Sequence, residues 1–270
     1  MIHPLQAVFL GILEGLTEFL PVSSTGHLIL AAHLLGLEGD AVKTFEVVIQ
    51  AGALGAVLTL YRRSVGAMAR GLAGRDPAGR ALARHLAVSF LPVGMAGLLL
   101  HQAIKAHLFN AWPVVAALAA GGVVMIVMDR WWAVKGRATG RSLASLTLRD
   151  ALVIGCAQCL ALWPGTSRAM VTLVAGMAVG LPAPVAAEYS FLLALPTLGV
   201  ATVFDVVTGG AMLLRDVSVL SLAVGFSAAA VVAALAVRGF VRYLARRGLA
   251  PFGWYRLALA AAVWLTGAAS

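Results

Sequence analysis

Residues 14–28 have the sequence EGLTEFLPVSSTGHL, in which a proline and a run of hydroxyl residues interrupt an apolar segment. A second interruption, PGTSR, occupies residues 164–168. Proline disrupts a helix, and the hydroxyl residues after it can cap the next helix. Each interruption therefore predicts two short helices joined by a turn. At membrane depth such a pair is a re-entrant helical hairpin, which is stable only inside protein or beside a wet cavity.

The composition around these two breaks is that of a membrane protein. Of the 270 residues, 61% are hydrophobic and 11% are charged, and the mean hydropathy is +0.95. A soluble domain of this size leaves about a quarter of its chain surface in water and cannot hide so much apolar surface. Disordered chains, coiled coils and disulfide-stapled secreted scaffolds are excluded as well. We therefore predict an all-α polytopic membrane protein, since each helix satisfies its own backbone polar groups in lipid.

The apolar segments predict how the chain crosses the membrane. They lie at about 5–20, 26–37, 44–61, 86–104, 113–129, 151–163, 169–181, 187–208, 217–237 and 252–268. The two pairs of short segments form the hairpins, and the others predict about six transmembrane helices, because a span needs about 20 residues. We expect a single integral membrane domain over residues 1–270, in which repeat one covers about 1–130 and repeat two about 150–270.

The basic residues predict the orientation of the helices. Most lysines and arginines lie in three clusters, at residues 62–84, 130–149 and 238–256, and the third cluster ends at Arg256. Positively charged loops face the cytoplasm, so the net charge of +9 reflects topology, and nucleic acid is not expected as a partner. The first hairpin then opens to the outside and the second to the inside.

This opposite placement predicts an inverted-topology repeat. Residues 11–16 align with residues 155–160, so that Glu14 corresponds to Gln158. Hairpins that enter from opposite faces meet near the bilayer midplane, where their helix N-termini aim partial positive charge at one point. Such a point suits an anion.

Carboxylates in the first hairpin are candidates for chemistry. Glu14 and Glu18 share a helical face because they are four residues apart. A carboxylate at membrane depth is costly, which leaves two interpretations: a water-exposed pair at the interface, or a site for a divalent cation or acid–base chemistry. Carboxylate oxygens suit Mg²⁺ or Ca²⁺. Glu46 and Gln50 also share a helical face, and they belong either to the site or to structural hydrogen bonds.

The hydroxyl run of the first hairpin contains a candidate nucleophile. A helix that starts near Ser24 would bring the Ser24 hydroxyl and the imidazole of His27 toward one cavity. A hydroxyl with a nearby base is the general layout of nucleophilic catalysis, and the histidine is itself a candidate attacker of phosphorus. The structural alternative is helix capping by these residues.

Arg168 is the basic residue that lies inside an apolar stretch, directly after the second break. Its guanidinium matches the geometry of phosphate oxygens. The alternative is a structural partner from another helix. Thr166 and Ser167 would add hydrogen-bond donors beside it.

Three motifs carry a resemblance to a known family. Residues 14–28, KTFEVVIQ at residues 43–50, and PGTSR at residues 164–168 with Thr172 strongly resemble the signatures of the undecaprenyl-diphosphatase family, also called bacitracin-resistance proteins. The resemblance covers nearly the whole chain. It implies a bacterial inner-membrane enzyme that uses a divalent cation to remove the terminal phosphate of undecaprenyl diphosphate. The product is the monophosphate carrier lipid of peptidoglycan synthesis.

The resemblance also implies roles for individual residues. The expected catalytic residues are Glu14, Glu18, Ser24, His27 and Arg168, of which the two glutamates would also hold the cation. The expected substrate contacts are Ser23, Thr25, Thr166, Ser167, Thr172, Glu46 and Gln50. Members of the family usually have a second serine and often a glycine after the motif arginine, where this chain has Ala169 and Met170.

In the mechanism we expect, the polyprenyl tail lies between helices and the diphosphate enters the cavity from the outer, periplasmic face. The cation and Arg168 neutralise phosphoryl charge. Either Ser24 or His27 attacks the terminal phosphorus or activates the attacking group. The alternative function is a lipid flippase, because broken helices and a midplane anion site are also a transporter layout. A homodimer is plausible for so small a bundle.

Overall fold

The computed structural model describes residues 2–37, 39–108, 111–135 and 140–265. In these ranges the chain forms eleven α-helices and two short 3₁₀ turns, without a β-strand. The helices are α1 (Pro4–Thr17), α2 (Ser24–Leu34), α3 (Asp40–Leu60), α4 (Arg62–Leu72), α5 (Pro77–Leu108), α6 (Ala111–Lys135), α7 (Leu148–Gln158), α8 (Arg168–Ala178), α9 (Ala183–Asp216), α10 (Val219–Arg247) and α11 (Ala250–Leu265). The all-α prediction is confirmed.

Four of the described helices are long and apolar enough to cross a membrane. These spans are Pro77–Leu100, Trp112–Val134, Ala183–Val207 and Val219–Arg247, in α5, α6, α9 and α10. The helices Thr44–Leu60 and Arg62–Leu72 meet at a bend of 82° and meet the length and hydropathy requirement for a span only when they are taken together. The sixth predicted span, at 252–268, is α11, and its last residues lie outside the described ranges.

The bend between α3 and α4 is a feature that the sequence did not predict. The basic stretch after residue 61 was expected to be a cytoplasmic loop, but Arg62–Leu72 is a helix. It folds back onto the start of α5, where Gly71 meets the backbone of Arg80 so closely that a Cβ would collide with it. This contact explains why the segment is a helix and not a loop. Its small residues form a face that packs on α5, and its basic residues form the face that stays in water.

The two predicted hairpins are present as pairs of short helices. Helix α1 has 14 residues, and α2, α7 and α8 have 11 each. At about 1.5 Å per residue, these helices are roughly 17–21 Å long, shorter than a hydrocarbon core of about 30 Å. None of the four can therefore cross a membrane alone. A 3₁₀ turn, Cys159–Leu162, extends α7 toward the second break.

The short helices pack across the two halves of the chain. Helix α1 packs on α10 and α7 packs on α5, while α3 lies against α9 and α6 against α11. The α1–α10 contact is close because Gly11 meets the backbone of Gly225. In each of these pairs, one helix comes from the first half of the chain and the other from the second half. A two-fold relation between the halves would give this packing. The division into repeats at about 1–130 and 150–270 stays a prediction.

Candidate active site

A cavity of about 180 Å³ lies between the two hairpin turns. The first turn contributes Glu18 and residues 23–25, and the second contributes residues 161–165 with Ser167 and Arg168. The side walls are formed by side chains of α3, α5, α7 and α9, which are Gln50, Val93, Gln158, Thr197 and Leu198. The two interrupted hairpins thus meet at one polar chamber.

Both turns use the same backbone conformation to start their second helix. Ser23 has φ 72° and Ser167 has φ 71°, and they are the only described residues other than glycine with positive φ. Each serine caps the helix that follows, because Ser23 Oγ accepts a hydrogen bond from Gly26 N at 3.4 Å and Ser167 Oγ accepts one from Met170 N at 3.3 Å. A conformation of this kind costs about 1–3 kcal/mol and tends to occur at functional sites.

The first residues of these two helices line the chamber. Helix α2 begins at Ser24 and α8 begins at Arg168. The free N–H groups and the partial positive charge of a helix N-terminus favour an anion, and here two such ends belong to one cavity. The chamber is therefore suited to a phosphate group by its backbone as well as by its side chains.

A chain of hydrogen bonds joins the two hairpins through Glu18. Ser24 Oγ donates to Glu18 Oε2 at 2.5 Å, and Arg168 Nη2 donates to Glu18 Oε1 at 3.1 Å. Arg168 Nη1 donates to the carbonyl of Ser190 at 3.0 Å. The structural partner considered for Arg168 is thus Glu18, a candidate site residue itself. Both side chains are nearly buried, with 9% of Arg168 and 7% of Glu18 exposed.

Arg168 keeps donors available beyond these two hydrogen bonds. Its Nε is buried and has no hydrogen-bond partner in the part of the chain that the structure describes. A guanidinium has five N–H donors. The carbon of the guanidinium lies 5.7 Å from the centre of the Phe19 ring, which supports the group from the side. Arg168 therefore has hydrogen-bonding capacity beyond its bonds to Glu18 and Ser190.

Glu14 is a fully buried carboxyl group that lies within hydrogen-bond range of the carboxyl group of Glu18. Neither of its oxygens accepts a hydrogen bond from another group among the described residues, and Glu14 is not one of the residues that line the chamber. Glu18, Glu46 and Arg168 lie within electrostatic range of it. Glu14 and Glu18 are therefore not a water-exposed interfacial pair. No group of three or more His, Cys, Asp or Glu side chains within the described ranges is arranged to hold a metal ion, so a cation here would rely on two glutamates.

His27 does not share the chamber with Ser24. Its Nδ1 lies 2.7 Å from the carbonyl oxygen of Ser23, and its Nε2 lies 2.7 Å from the hydroxyl of Tyr255. The imidazole is stacked on the Tyr255 ring, with centroids 5.7 Å apart. The expectation that both side chains face one cavity is wrong in its geometry. Both ring nitrogens are held on the α11 side of α2, whereas the Ser24 hydroxyl turns back toward Glu18.

The other expected contact residues divide into two groups. Gln50, Ser23, Thr25 and Ser167 line the chamber, whereas the following do not: Thr166, Thr172 and Glu46. Thr172 is fully buried and bonds to the carbonyl of Arg168 at 2.8 Å and to Ser190 Oγ at 2.6 Å. Thr172 therefore joins the backbone of Arg168 to α9 without lining the chamber.

Gln158 and Thr197 are chamber residues that the motif analysis missed. Gln158 Nε2 donates to Thr197 Oγ1 at 3.2 Å, and Gln158 Oε1 has no partner among the described residues. The signal was present in the alignment of the two hairpins, where Gln158 occupies the position of Glu14. Both aligned side chains are fully buried, but Gln158 lines the chamber and Glu14 does not.

Arg256 corrects the assignment of the third basic cluster. It was counted with the cytoplasmic arginines, but it is fully buried in α11. Its guanidinium reaches the carbonyls of Pro21 and Gly165, one in each hairpin turn. The burial of Arg256 could not be predicted from its position in the sequence, because it follows closely after four exposed basic residues of α10.

Comparison with known proteins identifies relatives over nearly the whole chain. Residues 7–262 match the family model of the bacitracin resistance protein BacA. A protein named undecaprenyl-diphosphatase from Sorangium cellulosum is 51% identical over 262 residues, covering 96% of this chain and 85% of the relative. Proteins of the same name from Methylococcus capsulatus and Solidesulfovibrio magneticus are 44% and 43% identical, covering 97% and 98% of this chain and 94% and 98% of the relatives.

Proposed function

The chain belongs to the bacitracin resistance protein BacA family, and we propose that the chamber between its hairpin turns is where it cleaves a lipid diphosphate. The protein is an undecaprenyl-diphosphatase, a multi-pass membrane enzyme that acts on a lipid substrate. The observation that carries the assignment of the site is the hydrogen-bonded series Ser24–Glu18–Arg168 across both turns. A flippase is not favoured as the function, because the relatives of this chain are named as phosphatases.

Ser24 is the nucleophile in this proposal. Its hydroxyl already donates to Glu18 Oε2, so that carboxylate is in place to accept the proton as the serine oxygen attacks the terminal phosphorus. The bond to the bridging oxygen breaks, the lipid monophosphate leaves, and a phosphoserine remains. Glu18 passes the serine proton to the departing phosphate oxygen of the lipid monophosphate and becomes a carboxylate again. Water then attacks the phosphoserine while Glu18 takes a proton from that water and returns it to Oγ of Ser24 as the Oγ–P bond breaks, which releases inorganic phosphate and restores the hydroxyl. His27 is not favoured as the nucleophile, because it is not among the residues that line the chamber and both of its ring nitrogens are already hydrogen-bonded, to the carbonyl of Ser23 and to Tyr255.

Arg168 and the two helix N-termini bind the phosphoryl group in this proposal. Arg168 and the first residue of α2, Ser24, line the chamber, and the Nε of Arg168 has no hydrogen-bond partner among the described residues before any substrate enters. Fixed donors of this kind stabilise the charge that develops in the transition state without reorganising. Ser23, Thr25 and Ser167 are the chamber hydroxyls expected to contact the remaining oxygens.

The proposed cofactor is a divalent cation, Mg²⁺ or Ca²⁺, held by Glu14 and Glu18. The residues fit such an ion, because a buried carboxylate with two unpartnered oxygens needs a proton or a cation. When bound, the cation would neutralise phosphoryl charge. Glu18 can take part because each of its oxygens has one hydrogen bond and keeps a second lone pair.

The proposal also includes where the polyprenyl tail binds and to which side of the membrane the chamber opens. Apolar side chains at one side of the chamber, Val93, Leu162 and Leu198, suit the first isoprene units of a polyprenyl tail. The basic clusters place their loops in the cytoplasm by the positive-inside rule, which favours a chamber that opens to the periplasm. A homodimer stays a prediction.

A phosphate-release assay tests the proposal. Purified protein in detergent is given undecaprenyl diphosphate with and without a chelator, and we expect cation-dependent release. A substrate labelled in its terminal phosphate should leave label on Ser24 when the reaction is quenched early. Ser24→Ala should abolish both signals. Label on His27, or full turnover by Ser24→Ala, would refute the assignment of the nucleophile, and intact substrate with wild-type protein would favour the flippase.

A further inference from the structure

Arg256 is a buried cation that makes all its hydrogen bonds to backbone carbonyls. It is fully buried in α11. Its Nε donates to the carbonyl of Leu118 at 3.2 Å and its Nη2 to the carbonyl of Ala117 at 2.9 Å, both in α6. Its remaining hydrogen bonds reach Pro21 at 3.3 Å and Gly165 at 2.9 Å. Among the described residues, none of these bonds goes to a carboxylate.

The two turn carbonyls occupy matching positions. Pro21 lies two residues before Ser23, and Gly165 lies two residues before Ser167. Among the described residues other than glycine, these serines are the two with positive φ, and they cap α2 and α8. A single guanidinium therefore holds both turns just before the point where each one delivers its first helical residue to the chamber.

Stability alone does not explain this group. A buried charge loses its hydration, and replacing such a group with apolar side chains of similar volume is often neutral or stabilising. The planar guanidinium, however, has donors in fixed directions and can bond to several carbonyls at once. The arrangement suits a group that fixes the distance between two backbone segments.

The packing of α6 on α11 makes room for this group. A Cβ at Gly121 would collide with Nη2 of Arg256 and would lie 2.8 Å from its Cζ. The neighbouring Gly122 lies in the same helix crossing, but a Cβ there would lie 2.8 Å from the carbonyl oxygen of Gly253 and does not meet Arg256. A Cβ at Gly121 would also lie 2.9 Å from the end of the Met170 side chain in α8, so Arg256→Lys is tested beside Gly121→Ala, and Gly122→Ala controls for disturbance of the helix crossing.

We propose that Arg256 is a positioning residue that holds the two hairpin turns in the arrangement in which Ser24 and Arg168 face the same phosphate. The inference rests on the proposed function for its kinetic consequence, but its structural consequence does not. Ser24 and Glu18 both belong to the first hairpin, and Arg168 belongs to the second. Loosening the link between the turns therefore separates the nucleophile from the phosphate-binding group without removing either.

The kinetic test compares Gly121→Ala and Arg256→Lys with Gly122→Ala as the matched control. We expect the first two to lower kcat per folded protein by about 10- to 100-fold, because a displacement of about 1 Å can cost that much. The KM should change by less than about threefold. Gly122→Ala is compared with Gly121→Ala under conditions where both have lost the same amount of melting temperature. Its kcat should stay within about threefold of the wild-type value. Equal kcat in the two alanine variants would overturn the proposal.

A distance measurement tests the same idea without turnover. Spin labels are placed at Thr25→Cys and Trp163→Cys, one in each turn, in a background where Cys156 and Cys159 are replaced by serine. We expect a narrow distance distribution with Arg256 and a broad or shifted one with Arg256→Lys or Gly121→Ala. An unchanged distribution would overturn the proposal. If the wild-type protein releases no phosphate but has a narrow distribution that broadens in Arg256→Lys, the proposed function is refuted and the role of Arg256 stands.

Discussion

The ion pair between Glu18 and Arg168 predicts that stability and activity will respond differently to the same substitutions. Arg168→Gln leaves the Glu18 carboxylate buried with Ser24 as its remaining hydrogen-bond partner, and Glu18→Gln leaves the guanidinium without its counter-charge. Removing one partner of a buried pair costs about 3–5 kcal/mol, because the other charge stays buried and uncompensated. The double variant removes both charges and should recover most of that loss.

Activity should not recover in the double variant. A donor aimed at developing charge contributes roughly 10²–10³-fold to kcat, and Glu18 is the proposed base, so both single variants and the double variant should be nearly inactive. Thermal unfolding in detergent and phosphate release are measured on the same four preparations. Additive losses of stability would show that the pair is not coupled. Near-normal turnover by Arg168→Gln would remove this residue from the site.

Three further predictions follow from particular contacts. Ser24→Ala should abolish turnover and lower the free energy of unfolding by about 1–3 kcal/mol, measured by thermal melting, because a buried hydrogen bond to a carboxylate is lost. Gly11→Ala should destabilise by about 1–3 kcal/mol, since its Cβ would meet the backbone of α10, whereas Gly55→Ala, with open space around it, should stabilise by about 0.5–1 kcal/mol. Asp150 lies outside the candidate spans; burial raises its pKa, but hydrogen bonds from Arg141 and Thr147 outweigh this and hold the pKa below its ordinary value. Its stabilising contribution is therefore present above the unfolded pKa and lost as pH falls through the folded one, so Asp150→Asn should cost about 1–2 kcal/mol at neutral pH and progressively less in acid unfolding curves.

The breaks in the hairpins were predictable because local chemistry determines them. Proline stops a helix wherever it occurs in the interior, and hydroxyl residues cap the next helix. Segment lengths then identified which helices cannot span a bilayer. Helix α4 was missed for the opposite reason. Its basic residues carry a strong topological signal, and the glycine contact with α5 that stabilises it is a tertiary feature.

The site was predictable only where its residues are close in sequence. Glu18 and Ser24 belong to one motif, and their hydrogen bond could be anticipated from the turn between them. The link from Glu18 to Arg168 could be proposed from opposite charges at membrane depth, although its geometry required the fold. The contact of His27 with Tyr255 joins α2 to the last helix, and nothing near His27 in the sequence indicates it.

The two hairpins have one backbone design and different side chains, which explains why a repeat can carry an asymmetric reaction. The same offset in sequence aligns Ser23 with Ser167, the two strained caps. Directly after the caps, the first hairpin has Ser24 and the second has Arg168. The backbone thus supplies two helix ends of the kind that favour an anion, and in the proposed reaction the first residue of one helix is the nucleophile and the first residue of the other binds the phosphate. Exchanging these two residues, as Ser24→Arg with Arg168→Ser, should keep the fold and lose turnover, because Glu18 would no longer lie beside a hydroxyl; phosphate release by that variant would show that the two halves are chemically interchangeable.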